Sequence, residues 1–185
     1  MMRTLLTGAL LFCLVMTGCT GQSPSATPPH PVSLLGEPGT GTLYGMLEAY
    51  YGLKDALVET NPHTADRYAQ ELIGYTDSLR QFTGTDSPHA IPGPLLDSIR
   101  NAGLAILSSE DESCEIKRIH FEKISDQLFL LLKQAGLKNA GVYRQYCPMA
   151  FNDRGAYWLS AETGIRNPYF GHKMLECGEI ADTLN

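Results

Sequence analysis

Apolar side chains recur at helical spacing in four stretches of the chain. Over residues 43–59, Met46, Tyr50, Leu53 and Leu57 fall on one face of a helix. Residues 62–82 carry the stripe Ala65, Ala69, Leu72, Thr76 and Leu79, with Asn61 placed as N-cap and Pro62 at the first helical position. A third helix is predicted over 93–107 on Leu95, Ile99, Ala102 and Ile106, after a long link, Thr83 to Ile91, that holds His89. A fourth runs from Ser109, which pairs with Glu112 as a capping box, to Gly136 as C-cap. Phe121, Ile124, Leu128, Leu131 and Ala135 form its inner face. Gly45, Gly52, Gly74 and Gly103 interrupt these helices at about 1 kcal/mol each against alanine. They mark either weak boundaries or close helix crossings.

After the fourth helix the period changes. Val142 to Tyr146 alternates and is rich in β-formers, Asn152-Asp153-Arg154-Gly155 is a turn, and Ala156 to Leu159 can return as a second strand. The predicted fold is all-α: an antiparallel four-helix up-down bundle over 42–137. A small irregular C-terminal lobe over 138–185, able to hold a short β-hairpin, belongs to the same domain. The lobe concentrates Tyr143, Tyr146, Phe151, Tyr157, Trp158, Tyr169 and Phe170, a satellite core for one end of the bundle.

Ahead of the helices the chain reads as delivery and spacing. A basic start at Arg3 precedes an apolar run, Leu5 to Met16, too short to remain as a membrane span, so residues 1–18 read as a secretory signal. The run ends in Met16-Thr17-Gly18-Cys19, similar to a bacterial lipoprotein processing box, so Cys19 is expected to carry the acyl chains that anchor the protein. The alternative is an ordinary signal in which Cys19 is incidental. Thr20, rather than an acidic residue, follows the cysteine and points to the periplasmic side of the outer membrane. Residues 19–41 are rich in Pro, Gly, Ser and Thr and read as a flexible tether in which His30 is solvated. A net charge of −6 without a basic run argues against nucleic acid as a partner.

The chemistry lies in the sulfurs. Of five cysteines, Cys13 leaves with the signal and Cys19 carries lipid. Cys114, Cys147 and Cys177 remain, an odd set in an oxidising compartment. Cys114 reads as a small buried side chain or a free thiol. Cys147 and Met149 are two apart and share a face if extended; Met174 and Cys177, three apart, are neighbours on a helical turn. If the two segments meet, four soft donors converge, a set that selects Cu(I) or Ag(I). Two other readings use the same residues. A disulfide between Cys147 and Cys177 would add roughly 3.5 kcal/mol in the chain-entropy model. A zinc site would use both cysteines with histidines and leave the methionines idle. His120 and His172 are candidate extra ligands, and each reads equally as an ordinary surface histidine. No Gly-rich phosphate loop, His-Glu-x-x-His box, Ser/His/Asp signature or Cys-x-x-Cys pair is present, so neither an enzyme nor an organic cofactor is expected.

Tyr146-Cys147-Pro148-Met149-Ala150, Trp158-Leu159-Ser160, Ile165-Arg166-Asn167-Pro168-Tyr169-Phe170-Gly171 and Met174-Leu175-Glu176-Cys177-Gly178 together resemble the C-terminal signature of a bacterial domain family of unassigned function. Tyr50 to Val58 and Arg118-x-x-Phe121-x-x-Ile124-Ser125 resemble two of its helices, so the likeness spans roughly residues 43 to 180. The family occurs alone or fused to periplasmic adaptor subunits of copper/silver efflux pumps. The resemblance implies a helical domain that binds copper through this signature, with such an adaptor as partner. The residues alone favour the disulfide; the resemblance moves Cu(I) ahead of it. The resulting expectation is a lipid-anchored heavy-metal-binding accessory protein. Its alternative is a disulfide-stapled interaction module of the cell envelope without metal. The two sulfur readings can also be the reduced and oxidised states of one site.

Overall fold

The computed structural model describes residues 30–83 and 90–184. The predicted signal, Cys19, the first part of the predicted tether and His89 lie outside the described residues. Four helices come first: α1 (Gly36–Val58), α2 (Pro62–Leu79), α3 (Gly93–Leu107) and α4 (Glu115–Gln134), with a single 3₁₀ turn, Arg80–Phe82, after α2. Three strands follow, β1 (Val142–Cys147), β2 (Ala156–Ser160) and β3 (Glu179–Leu184), with a 3₁₀ turn at Gly171–Met174 before β3. The chain is therefore mostly helical, and the all-α expectation is corrected in its last part. The lobe is a three-stranded antiparallel sheet in the order β2-β1-β3. The hairpin is present, with Gln145 opposite Trp158 and Cys147 opposite Ala156. β3 was not predicted: Glu179-Ile180-Ala181-Asp182 carries no alternating pattern, because the strand is an exposed edge and buries no face.

The helices pack in chain order, α1 on α2, α2 on α3 and α3 on α4. The predicted stripes of α1, α2 and α4 are buried, and in α3 Leu96 rather than Leu95 is the inward leucine. Asn61 caps α2 by accepting the amide of Thr64 at 3.0 Å. Two boundaries differ from expectation. Residues 36–41, placed in the tether by composition, are the start of α1, where Pro38 lacks only an amide that the first turn could not satisfy. α4 starts at Glu115, not Ser109. Asp111 accepts the amides of Ser113 at 3.0 Å and Ile116 at 2.7 Å, and Cys114 turns into the helix at φ 61°. The Ser109 hydroxyl is buried without a partner, so the capping box does not form. At the far end of α4, residues before α1 close the exposed carbonyls: Leu34 N–H donates to Ala135 O at 2.8 Å, and Val32 bridges Lys138. Among the described residues no helix is long and apolar enough to cross a membrane.

The sheet is fixed to the helices by a buried chain of hydrogen bonds. Leu159 N–H donates to the Tyr50 hydroxyl at 3.0 Å. The hydroxyls of Tyr50 and Ser125 meet at 2.7 Å, and Ser125 donates to Phe121 O at 2.9 Å, so Tyr50 is the donor to Ser125. This satisfies an outward amide of edge strand β2 and links α1, α4 and the sheet. One face of the sheet turns to α4, with the Arg144 guanidinium 4.2 Å over Phe129 and 3.8 Å over Tyr157. The other face, bearing Gln145, Cys147 and Trp158, is covered by the segment between β2 and β3.

Candidate functional site

That covering segment is held from beneath. Arg118 of α4 is buried and spends its guanidinium on four acceptors: Pro168 O at 2.8 Å, Ser113 O at 2.7 Å, and Leu57 O and the Thr60 hydroxyl at 2.9 Å each. Asn167, fully buried, closes the loop on itself. Its amide donates to Leu175 O at 2.8 Å, its side chain donates to Cys177 O at 2.8 Å, and its carbonyl oxygen accepts Tyr169 N–H at 2.8 Å. Gln145 donates to Glu162 O at 3.0 Å and Gly164 O at 3.2 Å. The Tyr169 hydroxyl donates to Tyr157 O.

These restraints deliver Cys177 onto Cys147. The two Sγ atoms are 2.7 Å apart, although the residues stand at opposite ends of a long loop. Cys147 is wholly buried at the end of β1, whereas Cys177 keeps part of its surface in solvent. Hydrogen bonding to Cys147, with burial, pushes the Cys177 thiol up to about 11. The sheet face beside the pair is not fully satisfied. The indole N–H of Trp158 and the side-chain carbonyl of Gln145, on directly opposed residues, are both buried without a partner.

The two methionines are placed differently from the cysteines. The shared face expected for Cys147 and Met149 is lost, because the strand ends at Cys147. Pro148 cannot donate to a ladder, and Met149 adopts a helical turn conformation at φ −85°. A tight turn follows, with Phe151, Asn152 and Asp153 all at positive φ, and it leaves Met149 45% exposed. Cys177 N–H donates to Met174 O at 3.1 Å, but the helical turn expected to carry both residues ends at Met174. Met174 lines a surface cleft of about 570 Å³ with Ile119, Phe151, Tyr169 and Phe170, a cleft that includes neither cysteine. His172 is exposed and stands 3.5 Å from Glu59. His120 lines a different cleft, with Ile116 and the α3–α4 link. Burial, with Lys123 beside it, holds His120 below its ordinary 6.5. Cys114 is a buried core residue, as read from the sequence.

The structure thus brings together two of the four predicted sulfur ligands. Among the described residues, no three His, Cys, Asp or Glu side chains gather into a metal-holding group. The Asn167-Pro168 step, which the sequence marks as the turn that brings Met174 and Cys177 back, is joined in positioning Cys177 by Arg118 and Gln145, which sequence reasoning did not rate. The signal for Arg118 was present: an arginine on the inner half of a helix.

No curated protein and no solved structure matches the chain. A family model does match, over residues 46–140, from within α1 to the link before β1, and so stops short of both cysteines of the pair. This is more than half of the chain, and the protein therefore belongs to the DUF3347 family, whose description is protein of unknown function.

Proposed function

We propose that this is a lipid-anchored periplasmic protein that binds Cu(I) or Ag(I) and serves metal efflux or homeostasis. Cys147 and Cys177 form the heart of the site, and the helices below it form an up-down antiparallel bundle. The observation that carries the reading is the approach of these two sulfurs to 2.7 Å across the loop. Paired thiolates are soft donors suited to Cu(I), and Met149, exposed two residues past Cys147, can add a thioether once the turn adjusts. The role is binding rather than catalysis. A periplasmic adaptor of an efflux pump is the proposed recipient, on the likeness of the C-terminal signature alone.

One observation favours the second reading, a disulfide-stapled interaction module without metal. Two thiolates bound tetrahedrally to one ion at about 2.3 Å stand roughly 3.8 Å apart. The observed 2.7 Å is shorter, so metal capture requires the two sulfurs to separate. A competition titration with Cu(I) separates the two. It uses residues 19–185 with Cys19→Ser, reduced and without oxygen. One-to-one binding, weakened by Cys147→Ser and by Met149→Leu, is the expected result. Binding no tighter than that of a generic thiol, with Cys147 and Cys177 joined in protein taken from cells, overturns the metal reading.

A further inference from the structure

The two sulfurs that meet are not equivalent. Cys147 is the last residue of β1, 0% exposed, and lies under the covering segment. Cys177 belongs to that segment and retains solvent contact. A sulfur nucleophile or disulfide arriving from solution can therefore reach Cys177 and cannot reach Cys147. Once Cys177 is engaged, Cys147 is already at contact distance behind it, at 2.7 Å. Exchange rates depend on which sulfur is accessible and on how close the second thiol stands.

We propose that Cys147 and Cys177 form a thiol–disulfide exchange site entered only at Cys177, with Cys147 as the resolving thiol. In the oxidising direction, the Cys177 thiolate attacks one sulfur of an incoming disulfide and expels the other as a thiolate. The Cys147 thiolate then attacks Cys177 Sγ and expels the second thiolate, so a disulfide is formed here and the incoming one is reduced to two thiols. In the reducing direction, a dithiol attacks Cys177 Sγ and the electron pair leaves on Cys147, which takes a proton from water. The second sulfur of the dithiol then attacks its own partner sulfur and releases Cys177, with two electrons transferred in all. The natural partner is a dithiol or disulfide of the same compartment, protein or small molecule. The covering segment would then present either a closed disulfide or an open dithiol. This inference does not rest on metal binding, since it needs only the asymmetry of the pair.

The test uses oxidised glutathione and the full chain in detergent, with Cys13→Ser and Cys19→Ser and buried Cys114 left as an internal control. Reduced Cys147→Ser should accumulate one glutathione on Cys177, mapped by peptide mass spectrometry. Cys177→Ser should label Cys147 more slowly by at least about tenfold. The parent chain should close the Cys147–Cys177 bond without retaining glutathione and reopen with dithiothreitol. Rapid sampling of the parent chain, which carries no change at either cysteine of the pair, should catch the transient adduct on Cys177 and none on Cys147. Comparable labelling of Cys147, an adduct that first appears there, or glutathione left on Cys177 without closure overturns the proposal. The Cu(I) titration can fail while this test succeeds, and the reverse.

Discussion

Gly178 carries φ +150°, and a Cβ built on it would fall 2.8 Å from Trp158 Cη2 and 2.9 Å from Tyr146 O. Only a residue without a side chain lets the backbone lie flat on the indole there, and this lays Cys177 over Cys147. Gly178→Ala should therefore cost about 1–3 kcal/mol through backbone strain and the lost close approach. Urea unfolding of the reduced protein measures the cost. Faster alkylation of Cys147 by a small reagent shows that the segment has lifted. The single tryptophan, Trp158, gives a local fluorescence report of the same displacement. An alanine variant of parental stability would mean that this contact does not hold the cover in place.

Among the elements, the helix glycines separate two causes that the sequence leaves merged. In α1 the rings of Tyr75 and Tyr68 lie 2.5 Å and 2.3 Å from where a Cβ would stand on Gly45 and Gly52, so these glycines mark the crossing of α1 and α2. Gly74 in α2 is exposed and has nothing within 4 Å. Gly74→Ala should stabilise the protein by about 0.5–1 kcal/mol, the helix propensity gain without a clash. Gly52→Ala should lose that gain to the displaced ring and destabilise. Thermal melts of the two variants against the parent read both signs, and a Gly52→Ala as stable as Gly74→Ala would contradict the crossing. Helix positions were legible because each buries one stripe and the core enforces the period. The start of α4 was not, because Ser109 and Asp111 both carry capping side chains. Only the left-handed turn at Cys114 decides between them. The exposed edge strand β3 had no buried face to write a pattern.

Across the whole molecule, Arg118 is where the helices meet the sulfur lobe. It is 6% exposed and joins the end of α1, the approach to α4 and the Asn167-Pro168 step through charged hydrogen bonds. Arg118→Lys keeps the charge but cannot reach four diverging acceptors, so buried carbonyls are left unpaired. Its expected cost is about 3 kcal/mol or more, with a gain in Cys147 alkylation that exceeds any gain at Cys114. Equal gains at the two buried thiols would show general unfolding instead of release of the cover. The periodic stripes, the Asn61 cap and the hairpin were determined by the sequence itself, because local hydrogen bonding and single-face burial leave their mark at short spacing. So were the candidate cysteines, which chemistry singles out wherever they fall. The tertiary structure alone decided which sulfurs meet. Cys147 and Cys177 converge while Met174 turns to another cleft, since the path of the loop is set by Arg118, Asn167 and Gly178, contacts between residues far apart in the chain that no spacing rule encodes.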